Sequence, residues 1–511
     1  MFARLLSAVV VGIDSQLVEV QCDVSNGLPA FQVVGLPDKE VTESRERIRS
    51  AIKNSGYSFP ARRITANLAP ADLRKEGVGF DLATALCILI ASGQLRASPA
   101  RHLVIGELSL DGSVHAVRGA LAIALAAQDA CLDAMIVPED NALEAALAGK
   151  IPVYAVRTLA EAAAFLNQDL VLSRVIAQPE KLLAPSLAPP CVDLRDIKGQ
   201  EQAKRALEIA AAGGHNLLLT GPPGAGKSLL ARALPGILPA LSLAEALEVT
   251  RIYSTAGLLD RSIPLVTARP FRAPHHTASY AGMAGGGHGL PGPGEITLAH
   301  HGVLFLDELP EFDRHVLETL RQPLEDRSIL LSRAGVSVRY PAQFTLVGAM
   351  NPCPCGHLGD HLRACSCSPH EVRRYRKRIS GPFLDRIDLF VHVPRLAPAE
   401  LLARPQGEAS LSVRARVIAA RRIQWERMKD RPGRFANAHL DSRQMTTYCA
   451  LDPDARRLLE VAIDRFALSA RGYTRVLRVA RTITDLEGAS HIRGEHLAEA
   501  IQYRSADEGL A

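Results

Sequence analysis

The spacing G-x-x-x-x-G-K-[ST] serves one chemistry, the holding of a nucleoside triphosphate with Mg²⁺. Gly221, Pro222, Pro223, Gly224, Ala225, Gly226, Lys227 and Ser228 stand in that order. The glycines let backbone N–H groups turn inward around phosphate oxygens, and a helix opening at Lys227 adds the partial positive charge of its N-terminus. Lys227 then reaches the outer phosphates, and the Ser228 hydroxyl ligates Mg²⁺. The flanks suit this role. Residues 215–220 (HNLLLT) read as a buried strand, and LLARALPGIL after the motif reads as a helix.

An acidic pair supports the motif. Residues 302–312, GVLFLDELPEF, place Asp307 and Glu308 after four apolar residues. A buried parallel strand presents such carboxylates at its C-terminal end, where ligands bind. Asp307 would hold Mg²⁺ through water, and Glu308 would act as general base on the attacking water. Residues 343–350 (QFTLVGAM) read as another buried strand ending at Asn351, a polar side chain placed to orient that water. Arg386, in SGPFLDRIDLFV, is read as an arginine that reaches a neighbouring subunit's γ-phosphate. A surface ion pair with Asp385 or Asp388 is the plainer alternative.

These residues need a framework. Residues 1–175 alternate strand-like and helix-like stretches, with strands expected at 31–34, 64–68, 103–108 and 134–137 and helices at 42–54, 81–92 and 159–167. Val18, Val20, Cys22 and Val24 alternate with polar residues, the period of a half-buried strand, so the N-terminal stretch is read as strand rather than as a signal peptide. Residues 176–192 are rich in proline, which removes backbone donors, and read as a linker. A second α/β region covers 193–395, and 396–511 reads as helical. The expected fold class is therefore multidomain α/β with an all-α C-terminal part.

Bulk properties fit a soluble, cytoplasmic protein. At 511 residues the chain is too long for one core. Its 47% hydrophobic and 22% charged content is ordinary for globular protein, and no apolar run is long enough for a membrane span. The net charge of +5 permits nucleic-acid binding without demanding it. Basic residues are uneven, however. Arg373, Arg374, Arg376, Lys377 and Arg378 form one run, and Arg414, Arg416, Arg421, Arg422, Arg427, Lys429, Arg431 and Arg434 another around Trp425. Such runs attract phosphate backbones, or make a solvated helix face or a subunit interface.

Nine cysteines, an odd count, argue against a fully paired disulfide framework. Cys353, Cys355, Cys365 and Cys367 cluster in two C-x-C pairs. Four sulfurs suit a structural, tetrahedral Zn²⁺, although C-x-C is tighter than the usual spacing. His357, His361 and His370 could substitute as ligands, and a redox-sensitive or purely structural thiol cluster is the alternative.

The longer blocks RPFRAPHHT, LAHHGVLFLDELPEF, FTLVGAMNPCPCG and ISGPFLDRIDL resemble the magnesium-chelatase-like YifB/ComM family of AAA+ ATPases, over essentially the whole chain. The resemblance implies an AAA+ core and a helical lid. It also implies ATP hydrolysis with Mg²⁺, assembly as a homo-hexamer, and helicase action in DNA branch migration during natural transformation. Single-stranded or branched DNA and recombination proteins are the partners it implies. In SARGYTRVLRVART it makes Arg471 the sensor 2 residue contacting phosphate, with Arg475 as runner-up.

The N-terminal region resembles the Lon-protease/RadA-type domain (ribosomal S5 domain 2-like) through FDLATALCILIASG and GELSLDGSVHAVRG. The position of the Lon nucleophile falls near Gly77, where no serine stands, so proteolysis is not supported. An assembly and DNA-binding platform is expected instead. Residues 280–295 (YAGMAGGGHGLPGPGE) resemble the helix 2 insert of this clade and are too glycine-rich for a stable helix or strand, so they are expected as a loop, either mobile against DNA or simply at the surface. Residues 328–340 read as a β-hairpin before the sensor 1 strand, with Arg333 and Arg339 placed to contact DNA phosphates. A chelatase-type motor remodelling a protein partner is the rival reading.

Overall fold

The computed structural model describes the chain except residues 98–100, 184–191, 261, 288–289, 334–335, 361, 403–406, 430–435, 467 and 506–511. Residues 184–191 of the expected linker, the hairpin tip at Ala334 and Gly335, His361, Arg431 and Arg434 thus lie outside the described residues, as does the Arg333 side chain; the described part of the linker holds a short helical turn, Pro179–Leu182.

The N-terminal part is built on a mixed sheet of eight strands. Its centre is a long antiparallel hairpin, Phe2–Val11 with Asp14–Ser25. Alternation sorts the side chains to two faces. Val18, Val20, Cys22 and Val24 pack under the helices Lys39–Asn54, Asp81–Ala91 and Leu159–Leu166. Ala8 and Leu17 face the helices Ala120–Asp129 and Glu139–Ala146. The expected strand at 103–108 is two pieces, His102–Val104 and Glu107–Leu108. The chain breaks at Gly106, whose φ of +159° lets its backbone run where a Cβ would strike Val114 and Leu82.

The central part is a parallel sheet of five strands. In spatial order they are Phe271–Arg272, Val303–Leu306, Thr345–Met350, Leu217–Thr220 and Leu389–His392. Both faces are covered, which is why these strands read as unbroken apolar runs. Leu217, Leu219, Val303, Phe305, Val347 and Ala349 enter one core, and Leu218, Leu304, Leu306, Leu346 and Met350 enter the other.

The first of those cores is shared with the C-terminal helices. Val413, Val417 and Ala420 from Ser410–Met428, Leu459 from Pro453–Arg465, and Val476, Val479 and Ala480 from Ala470–Leu486 belong to the same apolar cluster as the sheet. The helical part is therefore seated on one face of the parallel sheet. Among the described residues, no helix is long and apolar enough to cross a membrane.

Asp485 ties the helical part together. Its side chain is 0% exposed and accepts from Arg427, Arg481 and Asn437. Asp485→Ala would leave two buried guanidinium groups facing each other, at a cost of about 3–5 kcal/mol. Trp425, the chain's one tryptophan, sits on Ser410–Met428 and reports on this unit. A urea titration followed by its fluorescence should show the loss; a change under about 1 kcal/mol would contradict the role given to Asp485.

Candidate active site at the carboxyl edge of the sheet

The strand Leu217–Thr220 ends in the glycine loop, and the helix Lys227–Ile237 starts at the lysine. Gly224 and Gly226 adopt φ of +76° and +90°, conformations a side chain resists, and these turn the loop back over the helix N-terminus. Lys227 is buried. Its ammonium donates to the carbonyls of Gly221 (2.7 Å) and Pro222 (2.9 Å) and to Asn351 Oδ1 (3.1 Å). Burial holds its pKa below the ordinary value, while Asp307 and Glu308 pull the other way. Ser228 Oγ donates to Asp307 Oδ2 at 2.6 Å, so a hydroxyl and a carboxylate already share one corner. That donor pair suits Mg²⁺, a hard cation that keeps several waters and takes few protein oxygens.

Glu308 follows with φ of +51°, and its carboxylate, 58% exposed, turns outward. His276 Nδ1 lies 3.2 Å from Glu308 Oε2. The sequence block containing His276 stood out only as a resemblance and carried no role. The contact joins segments 32 residues apart in the chain, beyond the reach of any local pattern.

Asn351 closes this edge. After it the chain turns tightly through Cys353 to Gly356, whose N–H donates to the Cys353 carbonyl at 3.0 Å. Gly356 lies against the P-loop, where a Cβ would meet Pro223 Cδ at 2.6 Å. The four Sγ atoms of Cys353, Cys355, Cys365 and Cys367 lie within 4.8 Å of one another. Backbone N–H groups, that of His357 foremost, draw the Cys355 thiol down to about 5. His357 itself pairs with Asp360 at 3.2 Å.

Arg386 and Arg471 stand elsewhere. The Arg386 backbone carbonyl accepts from Asn216 Nδ2 (2.9 Å), and Asn216 lies at the amino end of the P-loop strand. The Arg386 side chain is buried and bonds Pro382 O and Glu325, not Asp385 or Asp388, so it is no surface ion pair. Its Nε is buried with no partner among the described residues. Arg471, 58% exposed, lies 3.9 Å from Glu325 on the rim of the same cleft, which encloses about 380 Å³. Arg475 is engaged inside the chain, donating to Ile387 O (2.9 Å) beside Asp388. At about 3.3 Å per residue, the P-loop strand separates this cleft from the phosphate loop by on the order of 15 Å.

The hairpin Ser328–Arg333 with Val336–Pro341 forms as the alternation requires. Ile329, Leu331, Val338 and Tyr340 face inward, and Arg339 faces solvent. The glycine-rich stretch departs from the expected loop. It holds a helical turn, Tyr280–Ala284, and a two-residue ribbon, Gly285–Gly286 with Gly292–Pro293. Tertiary partners supply what composition lacks. The Tyr340 hydroxyl donates to Pro291 O, and Leu290 N donates to Glu76 of the N-terminal part (3.2 Å). Gly77 and Arg118 line the cleft that these segments cover.

Several residues of the second basic run prove to be engaged inside the chain. Arg416 pairs with Glu208 and Glu408, Arg421 donates to Ala211 O, and Arg427 pairs with Asp485. In the first run, Arg376 donates to Pro352 O and Arg378 pairs with Glu311.

Two other groups have metal-like composition, Glu248 with His300 and His301, and Glu487 with Glu495 and His496. As they stand, His300 of the first group and His496 of the second cannot ligate. His300 Nδ1 accepts from Gln343 N (3.0 Å), and His496 Nδ1 accepts from Arg493 N (3.0 Å). With Nδ1 accepting, Nε2 keeps its proton and donates to Glu248 or Glu487.

Family models match three stretches: "Magnesium chelatase, subunit ChlI" over residues 193–401, "Subunit ChlI of Mg-chelatase" over 20–141, and "Magnesium chelatase, subunit ChlI C-terminal" over 407–504. The protein YifB of Salmonella typhimurium is 47% identical over 503 residues, covering 98% of this chain and 96% of its own. Competence protein ComM of Haemophilus influenzae is 45% identical over 508 residues, covering 98% and 97%. The magnesium-chelatase 38 kDa subunit of Cereibacter sphaeroides is 29% identical over 173 residues, 30% of this chain and 51% of its own.

The join at the amino edge is acid-sensitive. Burial raises the Asp388 pKa, but His215, Arg475 and the N–H of Asn216 outweigh it and hold the group at about 2. Its unfolded value is about 3.9, so the folded carboxylate stabilises fully above about pH 4 and progressively less as pH falls toward 2. The stability gap between wild type and Asp388→Asn, read from urea titrations, should be about 2 kcal/mol at pH 5 and close toward pH 2. A gap independent of pH would contradict this.

Proposed function

The chain belongs to the magnesium-chelatase-like YifB/ComM family, and on that premise we propose that it is a cytoplasmic, ATP-driven DNA motor. In this reading it works as a homo-hexameric ring that promotes branch migration while incoming DNA is integrated by recombination. The observation that carries it is the division of the ATP chemistry between two edges of one sheet. Lys227, Ser228, Asp307, Glu308 and Asn351 gather at the carboxyl edge, while Arg386 and Arg471 open at the amino edge. A copy whose arginine cleft meets the next copy's P-loop completes the site.

In that complete site the P-loop N–H groups and Lys227 hold the β- and γ-phosphates. Ser228, with Asp307 acting through water, would hold Mg²⁺, whose charge would offset that of the phosphates. Glu308 takes the proton of the attacking water, and Asn351 orients it. His276, at hydrogen-bond distance, fixes where the Glu308 carboxylate points. The neighbour's Arg386 and Arg471 offset the charge that spreads over the transferring phosphoryl group. Arg471 rather than Arg475 suits phosphate contact, because Arg475 is committed to Ile387 and Asp388. A structural Zn²⁺ on the four cysteines completes the cofactor set.

DNA would meet the exposed face of the hairpin, with Arg333 and Arg339 as contacts. The buried face of that hairpin and the glycine-rich ribbon rest on the N-terminal part, which supports a platform role for it. Rivals to this reading are a chelatase-type motor acting on a protein partner and an ATP-dependent protease. Gly77 at the nucleophile position speaks against the latter.

Three measurements test the proposal. ATP turnover should rise with single-stranded or forked DNA and lose that stimulation at high salt; no DNA effect at any salt would favour the chelatase-type motor. Glu308→Gln should bind ATP yet turn it over about 10²- to 10⁴-fold more slowly. The third measurement is complementation. Lys227→Ala, which keeps its arginine cleft, mixed with Arg471→Ala, which keeps its P-loop, should recover turnover that each lacks alone. If the mixture stays as inactive as its parts, the shared site is wrong.

A further inference from the structure

The four-cysteine turn does two things that no local requirement of the nucleotide site explains. It gathers four sulfurs in one place, and it presses on the P-loop. Cys353 Sγ lies 3.4 Å from Cys355 Sγ and 3.6 Å from Cys365 Sγ, and Cys355 Sγ lies 3.5 Å from Cys365 Sγ. A disulfide would bring two sulfurs to about 2.05 Å. Four sulfurs each about 2.3 Å from one zinc ion stand about 3.8 Å apart, close to the spacing observed. The set also has the outer hydrogen bonds such sites use to spread thiolate charge. Cys355 N donates to Cys367 Sγ and Cys367 N to Cys365 Sγ, both at 3.4 Å.

The turn is also fixed from outside. Asp360, between the two cysteine pairs, binds Arg395 (3.3 Å), and Ser368 after the second pair caps the helix Pro369–Arg376. Its inner side lies against the phosphate loop. Gly356, φ +82°, sits so close to Pro223 that no side chain fits between them, and Asn351, two residues before Cys353, bonds Lys227.

We propose that Cys353, Cys355, Cys365 and Cys367 bind one Zn²⁺ as an all-sulfur structural site, and that this metal-closed turn is the wall that sets Pro223, Asn351 and Lys227 for nucleotide. The metal closes a loop held otherwise by a few turns and by the pairing of Asp360 with His357 and Arg395, and each thiol releases its proton to solvent as it binds. Loss of the metal frees Gly356 from Pro223 and lets Asn351 drift from Lys227. Zinc occupancy thus controls nucleotide affinity. The coupling rests on the ATP site proposed above, whereas the metal site does not.

The test uses the full chain purified anaerobically with reductant. Metal analysis should find one zinc per chain, and replacement by Co²⁺ should give the thiolate-to-cobalt charge-transfer band of a sulfur site. Affinity for a fluorescent ATP analogue is then compared across variants. Gly356→Ala should keep its zinc but bind nucleotide about tenfold more weakly, because the added methyl displaces Pro223. Cys355→Ser with Cys367→Ser should lose both zinc and nucleotide affinity, and Lys227→Ala should lose nucleotide while keeping zinc.

Wild-type chain with less than about half an equivalent of zinc and no cobalt band overturns the site. Full zinc with wild-type nucleotide affinity in Gly356→Ala overturns the coupling, whether or not the double cysteine variant folds. A wild-type chain that binds zinc but no nucleotide overturns the ATP reading and the coupling with it, and leaves the metal site standing.

Discussion

All five strands of the central sheet run the same way, so each delivers its carboxyl end to one edge and its amino end to the other. Everything that can grip a triphosphate follows a carboxyl end: the glycine loop after Thr220, Asp307 after Leu306, Asn351 after Met350. The arginines that could stabilise a transferring phosphate come before an amino end, at Leu389, or from helices packed beside it. No side-chain rearrangement exchanges the two edges. On the proposed function, a chain with this sheet polarity offers half a site on each side, and a ring is the closed arrangement in which every half meets its complement.

The position of the helical part follows from the same polarity. Its anchors cluster at the amino end of the P-loop strand: Thr482 on His215 (2.8 Å), Gln424 on the Ala212 carbonyl, Arg475 on the Ile387 carbonyl. They hold Arg471 on the rim of the Arg386 cleft rather than over the P-loop of its own copy. The N-terminal part engages different pieces of the core. Glu144 accepts from Ser254 of Leu243–Thr255, Gly12 packs on Val338 of the hairpin, and Glu76 accepts from Leu290 of the glycine-rich ribbon. Two elements that could feel DNA therefore lean on the N-terminal sheet, while the nucleotide edge remains open.

What the sequence made legible was whatever is written contiguously. The phosphate loop is eight consecutive residues, the acidic pair is adjacent, and the alternation of Val18, Val20, Cys22 and Val24 is local, so each could be placed without a partner. What it hid were relations fixed by strand order. Glu325 with Arg386, Asn216 with Asp388 and His276 with Glu308 are each brought together by the sheet, and neither member of a pair announces the other. The arginines around Trp425 stayed ambiguous for the same reason, and Arg416, Arg421 and Arg427 are engaged inside the chain. A dense basic run looks like a phosphate-binding face when two of its acids, Glu208 and Asp485, lie about 60 or more residues away along the chain. The glycine-rich stretch failed differently. Intrinsic propensity disfavours order there, and contacts to Tyr340 and Glu76 override it.

The cysteine turn shows how a contiguous motif can still withhold its purpose. Its donor set could be read directly, but the spacing gave no hint that Gly356 would touch Pro223, 133 residues earlier. Strand order explains the meeting. Thr345–Met350 lies beside Leu217–Thr220 in the sheet, so the segments leaving their carboxyl ends must emerge side by side. One of those segments is the P-loop, whose glycines make it pliable. The other carries Asn351 and then the cysteines. A flexible loop that must present its N–H groups in one geometry benefits from a rigid neighbour, and four sulfurs around one ion give rigidity within very few residues. The adjacency that fixes Asn351 on Lys227 therefore also places the one metal-capable sulfur cluster among the described residues beside the phosphate loop, where, on the proposed reading, its stiffness would bear on phosphate binding.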